Sequence, residues 1–120
     1  MSEIRGIDLK NGLALLSNNA ALYERLLKKF VDSTYYGELV EAVAGGAPAD
    51  IAVKAHTLKG LAGNMSMTDL YEASLALELA GKAGEMITAG SLSMVQLTEV
   101  YQYTRASAVS LLADPGLIKA

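Results

Sequence analysis

The sequence predicts an all-α domain, an antiparallel up-down four-helix bundle with a short extra helix at its N-terminus. Three observations favour this fold. Hydrophobic residues make up 52% of the 120 residues, and only two prolines are present. Four long segments show helical periodicity, and the breaks between them are short and contain glycine or serine. Because short connections place successive helices antiparallel, the simplest arrangement is an up-down four-helix bundle. The chain length of 120 residues corresponds to a single domain, residues 1–120.

The N-terminal third predicts a short helix over residues 9–16 and a longer one after it. An Asn-Asn pair at residues 18–19 provides N-caps for the longer helix, which continues to about Val43. A Gly-Gly pair at residues 45–46 ends it. The residues predicted along one side of it are Leu22, Leu26, Phe30, Ser33, Gly37 and Val40.

The second long helix begins with Pro48 in its first turn and Asp50 just after it, both suited to a helix N-terminus. It continues to about Met65. Its apolar residues alternate at spacings of four and three, which is typical of a bundle seam. They are Ile51, Ala55, Leu58, Ala62 and Met65.

The stretch Ser66-Met67-Thr68-Asp69 has the form of a capping box, so a third helix is predicted to start there and to reach about Ala83. Its buried side is predicted to carry Leu70, Ala73, Leu77 and Ala80. A serine at position 91 or 93 caps the fourth helix, which ends before Pro115-Gly116. The buried residues predicted for that helix are Leu97, Tyr101, Thr104, Ala108 and Leu111.

Composition excludes several functions. A net charge of -3 and a pI near 5.0 provide no basic field, so we expect no nucleic-acid partner. The lack of cysteine excludes disulfides and thiolate metal sites and fits a reducing compartment. No apolar run is long enough to cross a bilayer, and the N-terminus lacks the apolar stretch of a signal peptide. We therefore expect a cytoplasmic domain without direct membrane contact, although a longer parent protein anchored in the inner membrane stays open.

The second long helix carries the only histidine of the chain, His56. At about 100° per residue, His56 lies roughly 140° from the centre of the apolar stripe, so its imidazole is predicted to face solvent. Ala52, Gly60 and Gly63 lie on the same side of the helix, and Lys59 flanks the histidine. Each glycine costs roughly 1 kcal/mol relative to alanine in a helix interior. The pattern indicates a flat docking surface around a reactive side chain; a solvated histidine beside a loosened helix is the alternative.

Other chemistries lack the residues that they need. A metal site is poorly supported because the chain has no second histidine and no cysteine. No nucleophile is evident that would pair with His56 in a hydrolase triad. The sequence also lacks a glycine-rich nucleotide loop, so we expect no autonomous kinase activity and no cofactor of its own.

The stretch from His56 to Gly60, HTLKG, followed by Ala62-Gly63-Asn64, resembles the phosphoacceptor motif of histidine-containing phosphotransfer (HPt) domains of bacterial multistep phosphorelays. The likeness extends over nearly the whole chain. The weaker flanking matches are Gly6-Ile7-Asp8, Gly12-Leu13, Leu22-Tyr23, Leu26-Leu27, Phe30, Leu77-Glu78 and Ala80. Two positions depart from the family pattern: Leu61 stands where a small residue is common, and Ser66 where glycine is common.

The resemblance implies that His56 accepts a phosphoryl group from the aspartate of a response-regulator receiver domain and passes it to another receiver. It makes Lys59 the residue that stabilises the phosphoryl oxygens, and it places Mg²⁺ on the partner receiver. It also implies a monomeric bundle whose docking residues are Ala52, Gly60, Gly63 and Asn64.

Several alternatives stay open. The alternative for Lys59 is an ordinary solvated lysine, and the alternative for Gly63 is a glycine that relieves contact with a neighbouring helix. The alternative for Asn64 is a solvated residue at the helix end. The whole domain is alternatively the substrate domain of a hybrid histidine kinase, in which His56 takes phosphate from ATP bound elsewhere. A different class of function is a helical scaffold or dimerisation module with an incidental histidine.

Overall fold

The computed structural model describes residues 4–119, and these residues form an all-α fold without a strand. The helices in that range are α1 (Leu9–Leu15), α2 (Ala20–Asp32), α3 (Tyr35–Gly45), α4 (Pro48–Asn64), α5 (Thr68–Lys82), α6 (Leu92–Ala113) and α7 (Gly116–Lys119). The short N-terminal helix and the helices predicted from Pro48, from the stretch after Ser66 and from Ser91 are confirmed within about two residues.

The predicted single helix from Asn19 to Val43 is wrong, because the chain breaks between α2 and α3. Ser33 has extended backbone angles, φ -71° and ψ 156°, and its hydroxyl donates a hydrogen bond of 2.8 Å to the Phe30 carbonyl. Thr34 follows, and its hydroxyl donates to Glu38 Oε2 at 2.8 Å. The Ser33 hydroxyl competes in this way with the backbone hydrogen bonds of a helix, so α2 ends here.

The break changes which residues of this segment are buried. Gly37 and Val40 are exposed, and Leu22, Leu26 and Ser33 are only partly covered, so Phe30 is the one residue of the six predicted along that side that is buried. The core residues of α2 and α3 are Tyr23, Leu27, Phe30, Leu39 and Val43. Asn19 caps α2 as predicted, since its side chain accepts a hydrogen bond from the Leu22 amide at 3.0 Å.

The predicted capping box at the start of α5 is also wrong. Ser66 lies in the left-handed region, with φ 52°, and its hydroxyl accepts a hydrogen bond of 2.7 Å from Asn11 Nδ2. Met67 is the N-cap of α5 and makes no side-chain cap bond. The serine therefore ties the α4–α5 turn to α1 instead of capping α5, and the Asp8 amide donates to the Ser66 carbonyl at 2.9 Å beside it.

Successive helices pack on one another, α3 on α4, α4 on α5 and α5 on α6, while α2 packs on α6 and also contacts α1 and α7. The most extensive contact is between α4 and α5. All the core residues predicted for the helices from Pro48 and from Ser91 are buried, which confirms the orientation of α4 and α6. Within residues 4–119, no helix combines the length and apolar character needed to cross a membrane.

Candidate functional site

The His56 side chain projects from the middle of α4, and it is 66% exposed. Ile51, Ala55 and Leu58 are buried on one side of α4. His56 lies on the opposite side of the helix, so its side chain faces outward. The predicted exposure of the imidazole is therefore confirmed. Its location in a regular helix fixes the direction in which the ring leaves the backbone.

Glu78 of α5 reaches the same ring from the neighbouring helix. Glu78 Oε2 lies 2.8 Å from His56 Nδ1, and the glutamate side chain is only 2% exposed. An ionised carboxylate only accepts hydrogen bonds, so Nδ1 carries the proton and donates it to Glu78. In the neutral ring, the free electron pair then belongs to Nε2, on the side of the imidazole away from Glu78.

Two lysines contact the same carboxylate. Lys59 Nζ lies 2.6 Å from Glu78 Oε1, and Lys82 Nζ lies 3.1 Å from Glu78 Oε2. The ammonium of Lys59, helped by that of Lys82 and by the hydrogen bond from His56, outweighs burial and lowers the pKa of the Glu78 carboxyl from 4.5 to about 2. Glu78 is therefore ionised at neutral pH. We call these four residues the Glu78 cluster.

The charges of the Glu78 cluster do not cancel. With a neutral imidazole, two ammonium groups surround one carboxylate, which leaves an excess of one positive charge beside the exposed ring. An excess positive charge next to a free nitrogen electron pair suits a group that is itself negatively charged, such as a phosphoryl group or a carboxylate. Lys59 flanks His56 as predicted, but its side chain is only 19% exposed because it is held on Glu78.

The predicted docking residues do not form one uniform surface. Gly60 is exposed, and nothing lies within 4 Å of the position that a Cβ would occupy there. Asn64 is exposed at the end of α4. At Gly63 a Cβ would lie 3.3 Å from the Tyr71 ring of α5, which supports the alternative that this glycine relieves a helix contact. Ala52 is only 6% exposed, so the expectation that it belongs to an exposed patch is wrong.

Ala52 is buried because α4 and α5 approach closely at Gly81. A Cβ on Gly81 would lie 2.7 Å from the Pro48 carbonyl oxygen and 2.9 Å from Ala52 Cβ. Beside this contact, an open hollow of about 530 Å³ lies between the two helices. Its lining is mostly apolar, with Ala49 and Val53 on α4, and His56 and Lys82 bound it.

The sequence did not predict Glu78 or Lys82 as site residues. Glu78 was named only as one of the weaker flanking matches to the HPt family. The available signal is that Ser74 and Gly81, small residues one turn before and after Glu78, allow a neighbouring helix to come close. A carboxylate between them on a packed face needs a partner, and the basic residues one turn away and on α4 provide it.

Comparisons of the chain with protein-family models, with curated proteins and with solved structures find no match.

Proposed function

We propose that this chain is a histidine-containing phosphotransfer domain, which carries a phosphoryl group between receiver domains of a two-component phosphorelay. The observation that carries the proposal is the exposed His56 ring with Nδ1 held 2.8 Å from the buried carboxylate of Glu78. This arrangement fixes the tautomer whose nucleophilic nitrogen, Nε2, points outward. The HTLKG sequence around His56 supports the same class of function.

The reaction follows from this tautomer. The electron pair of His56 Nε2 attacks the phosphorus of an aspartyl phosphate on the partner, forming the N–P bond, while the P–O bond breaks and its electron pair stays on the aspartate as a carboxylate. Nδ1 keeps its proton, and the ring becomes positively charged. The carboxylate of Glu78 stabilises that charge at 2.8 Å. No proton has to move, so the reverse step, donation to a second receiver, uses the same arrangement.

The partner supplies the rest of the machinery in this proposal. A receiver domain contributes the aspartate and a bound Mg²⁺, and the excess positive charge of the Glu78 cluster is added from this side. Gly60 leaves open space next to His56 for the partner surface, with Gly63 and Asn64 farther along α4. We propose that the domain is cytoplasmic and monomeric, either free-standing or part of a hybrid histidine kinase.

The helix contacts support an antiparallel up-down four-helix bundle in which α2 and α3 together act as the first, interrupted member. The packing order α3 on α4, α4 on α5, α5 on α6, and α6 back on α2 is that of a closed ring of four. The molecule measures 44 × 24 × 19 Å, and α1 is the short extra helix at the N-terminus. In this arrangement His56 lies on the outer surface of the four-helix bundle.

The test is phosphoryl transfer from a panel of receiver domains phosphorylated beforehand. We expect at least one receiver to label the protein with acid-labile phosphate, and we expect His56→Gln to abolish labelling while keeping the helical circular-dichroism signal. Lys59→Ala should slow the transfer without abolishing it. Labelling of the His56→Gln variant, or no transfer from any receiver, would contradict the proposal and favour a helical scaffold or dimerisation module.

A further inference from the structure

We propose that Lys82, and not Lys59, is the cation that contacts the phosphoryl group on His56. This inference rests on the phosphotransfer function proposed above and assigns different tasks to the two lysines of the Glu78 cluster. It reverses the expectation from the sequence motif, which points to Lys59.

Lys59 is held by the carboxylate that it neutralises. Its ammonium nitrogen lies 2.6 Å from Glu78 Oε1, and its side chain is 19% exposed. If Lys59 turned toward a phosphoryl group, it would leave Oε1 of a nearly buried carboxylate without its closest counter-ion. Removing one partner from a buried ion pair is strongly unfavourable. Lys59 is therefore the structural counter-ion of Glu78.

Lys82 is placed differently. It is the last residue of α5, its side chain is 64% exposed, and its ammonium lies 3.1 Å from Glu78 Oε2. Oε2 also accepts the hydrogen bond from His56 Nδ1. When Lys82 moves away, Glu78 keeps both the hydrogen bond from His56 Nδ1 and the ion pair with Lys59. Lys82 is thus the cation of the cluster that moves at the lowest cost.

The open space beside His56 also favours Lys82. The hollow of about 530 Å³ between α4 and α5 is bounded by His56 and Lys82, and Lys59 does not line it. A group that enters from this side meets the ammonium of Lys82 next to the imidazole. Because a lysine is a mobile point charge with three donors, it can follow the phosphoryl oxygens from the partner's aspartate to Nε2.

Potassium phosphoramidate is the probe that tests this inference without a receiver. In the reaction, Nε2 attacks the phosphorus of phosphoramidate, the P–N bond breaks, and the nitrogen leaves as ammonia from its protonated form. The rate of phosphohistidine formation is followed by ³¹P NMR for the wild type and for Lys82→Gln, Lys82→Arg, Lys59→Gln and His56→Gln. Lys28→Gln, at an exposed position on α2, is the control for the loss of one positive charge.

We expect Lys82→Gln to react on the order of tenfold more slowly, and Lys82→Arg to keep most of the rate. Lys59→Gln should lose less rate than Lys82→Gln but should melt at a lower temperature, because Glu78 loses its counter-ion. Lys28→Gln should resemble the wild type in both measurements.

The inference is overturned if Lys82→Gln reacts like the wild type, if the two lysine variants lose the same rate, or if His56 is not phosphorylated at all. Failure of the proposed function gives a different result. In that case phosphoramidate labels His56 with the expected dependence on Lys82, while no phosphorylated receiver transfers its phosphate to the protein.

Discussion

Glu78 Oε2 lies 2.8 Å from His56 Nδ1, although the two residues are 22 positions apart and belong to different helices. Their distance depends on how closely α4 and α5 pack, and Gly81 sets that packing one turn along α5 from Glu78. The hydrogen bond that fixes the tautomer of His56 therefore depends on the close contact between α4 and α5 at Gly81.

Gly81→Ala should separate the helices. Its Cβ would lie 2.7 Å from the Pro48 carbonyl oxygen and 2.9 Å from the Ala52 nitrogen, and both atoms belong to backbone. We expect a loss of about 1–3 kcal/mol in the free energy of unfolding, as for other overpacked sites. Denaturant unfolding measures it.

Gly37→Ala is the matched control, because Gly37 lies within α3 and a Cβ there has nothing within 4 Å. This variant should be stabilised by up to about 1 kcal/mol, since alanine is the better helix former. Equal changes in the two variants would show that α4 and α5 do not require a glycine at their contact.

Glu78→Gln should disturb the tautomer of His56. An amide side chain can donate as well as accept, so the proton is no longer confined to Nδ1. In ¹⁵N NMR spectra of the imidazole, the wild type should show a protonated Nδ1 and an unprotonated Nε2 when the ring is neutral. The variant should show both tautomers and accept phosphoryl groups more slowly. Two identical spectra would mean that Glu78 does not control the ring.

Acid should reduce the stability that Glu78 provides. Because the contacts in the folded state lower the pKa of its carboxyl from 4.5 to about 2, the unfolded chain binds more protons between these values. The contribution is complete above about pH 4.5 and is lost as the pH falls toward 2. The difference in free energy of unfolding between the wild type and Glu78→Gln should shrink over this range. A difference that does not change with pH would contradict the lowered pKa.

The sequence predicts the buried faces of α4 and α6, and it fails at the break between α2 and α3 and on the buried face of α5. The buried residues of α4 and α6 follow from the regular spacing of four and three along each helix. The break before α3 does not, because it depends on the hydroxyl of Ser33 bonding to the Phe30 carbonyl. Periodicity does not register this competition between a side chain and the backbone.

Half of the site was predictable for a similar reason. His56 lies opposite a clear apolar stripe, so its exposure can be deduced. Glu78 lies on α5, where leucine also occupies positions outside the core, such as Leu79, so the apolar residues define the buried face poorly. The prediction placed Ala73 and Ala80 in the core, but both are only partly covered, whereas Ser74 and Gly81 are buried. The buried face of α5 therefore differs from the predicted one, and it includes Glu78, which contacts His56.

Gly60 should show stability and function changing in opposite directions. It is one turn from His56 on the exposed side of α4, and a Cβ there has nothing within 4 Å. Gly60→Ala should therefore raise the free energy of unfolding by up to roughly 1 kcal/mol through helix propensity alone. Gly60→Gln should leave the fold intact but project into the space that we assign to the receiver, and so cut the transfer rate sharply.

Gly63→Ala is the comparison, because its Cβ would lie 3.3 Å from the Tyr71 ring and should bring less stabilisation. The measurement pairs thermal unfolding of each variant with its rate of phosphoryl transfer from one receiver. Normal transfer by a folded Gly60→Gln protein would show that the partner does not approach α4 at this glycine.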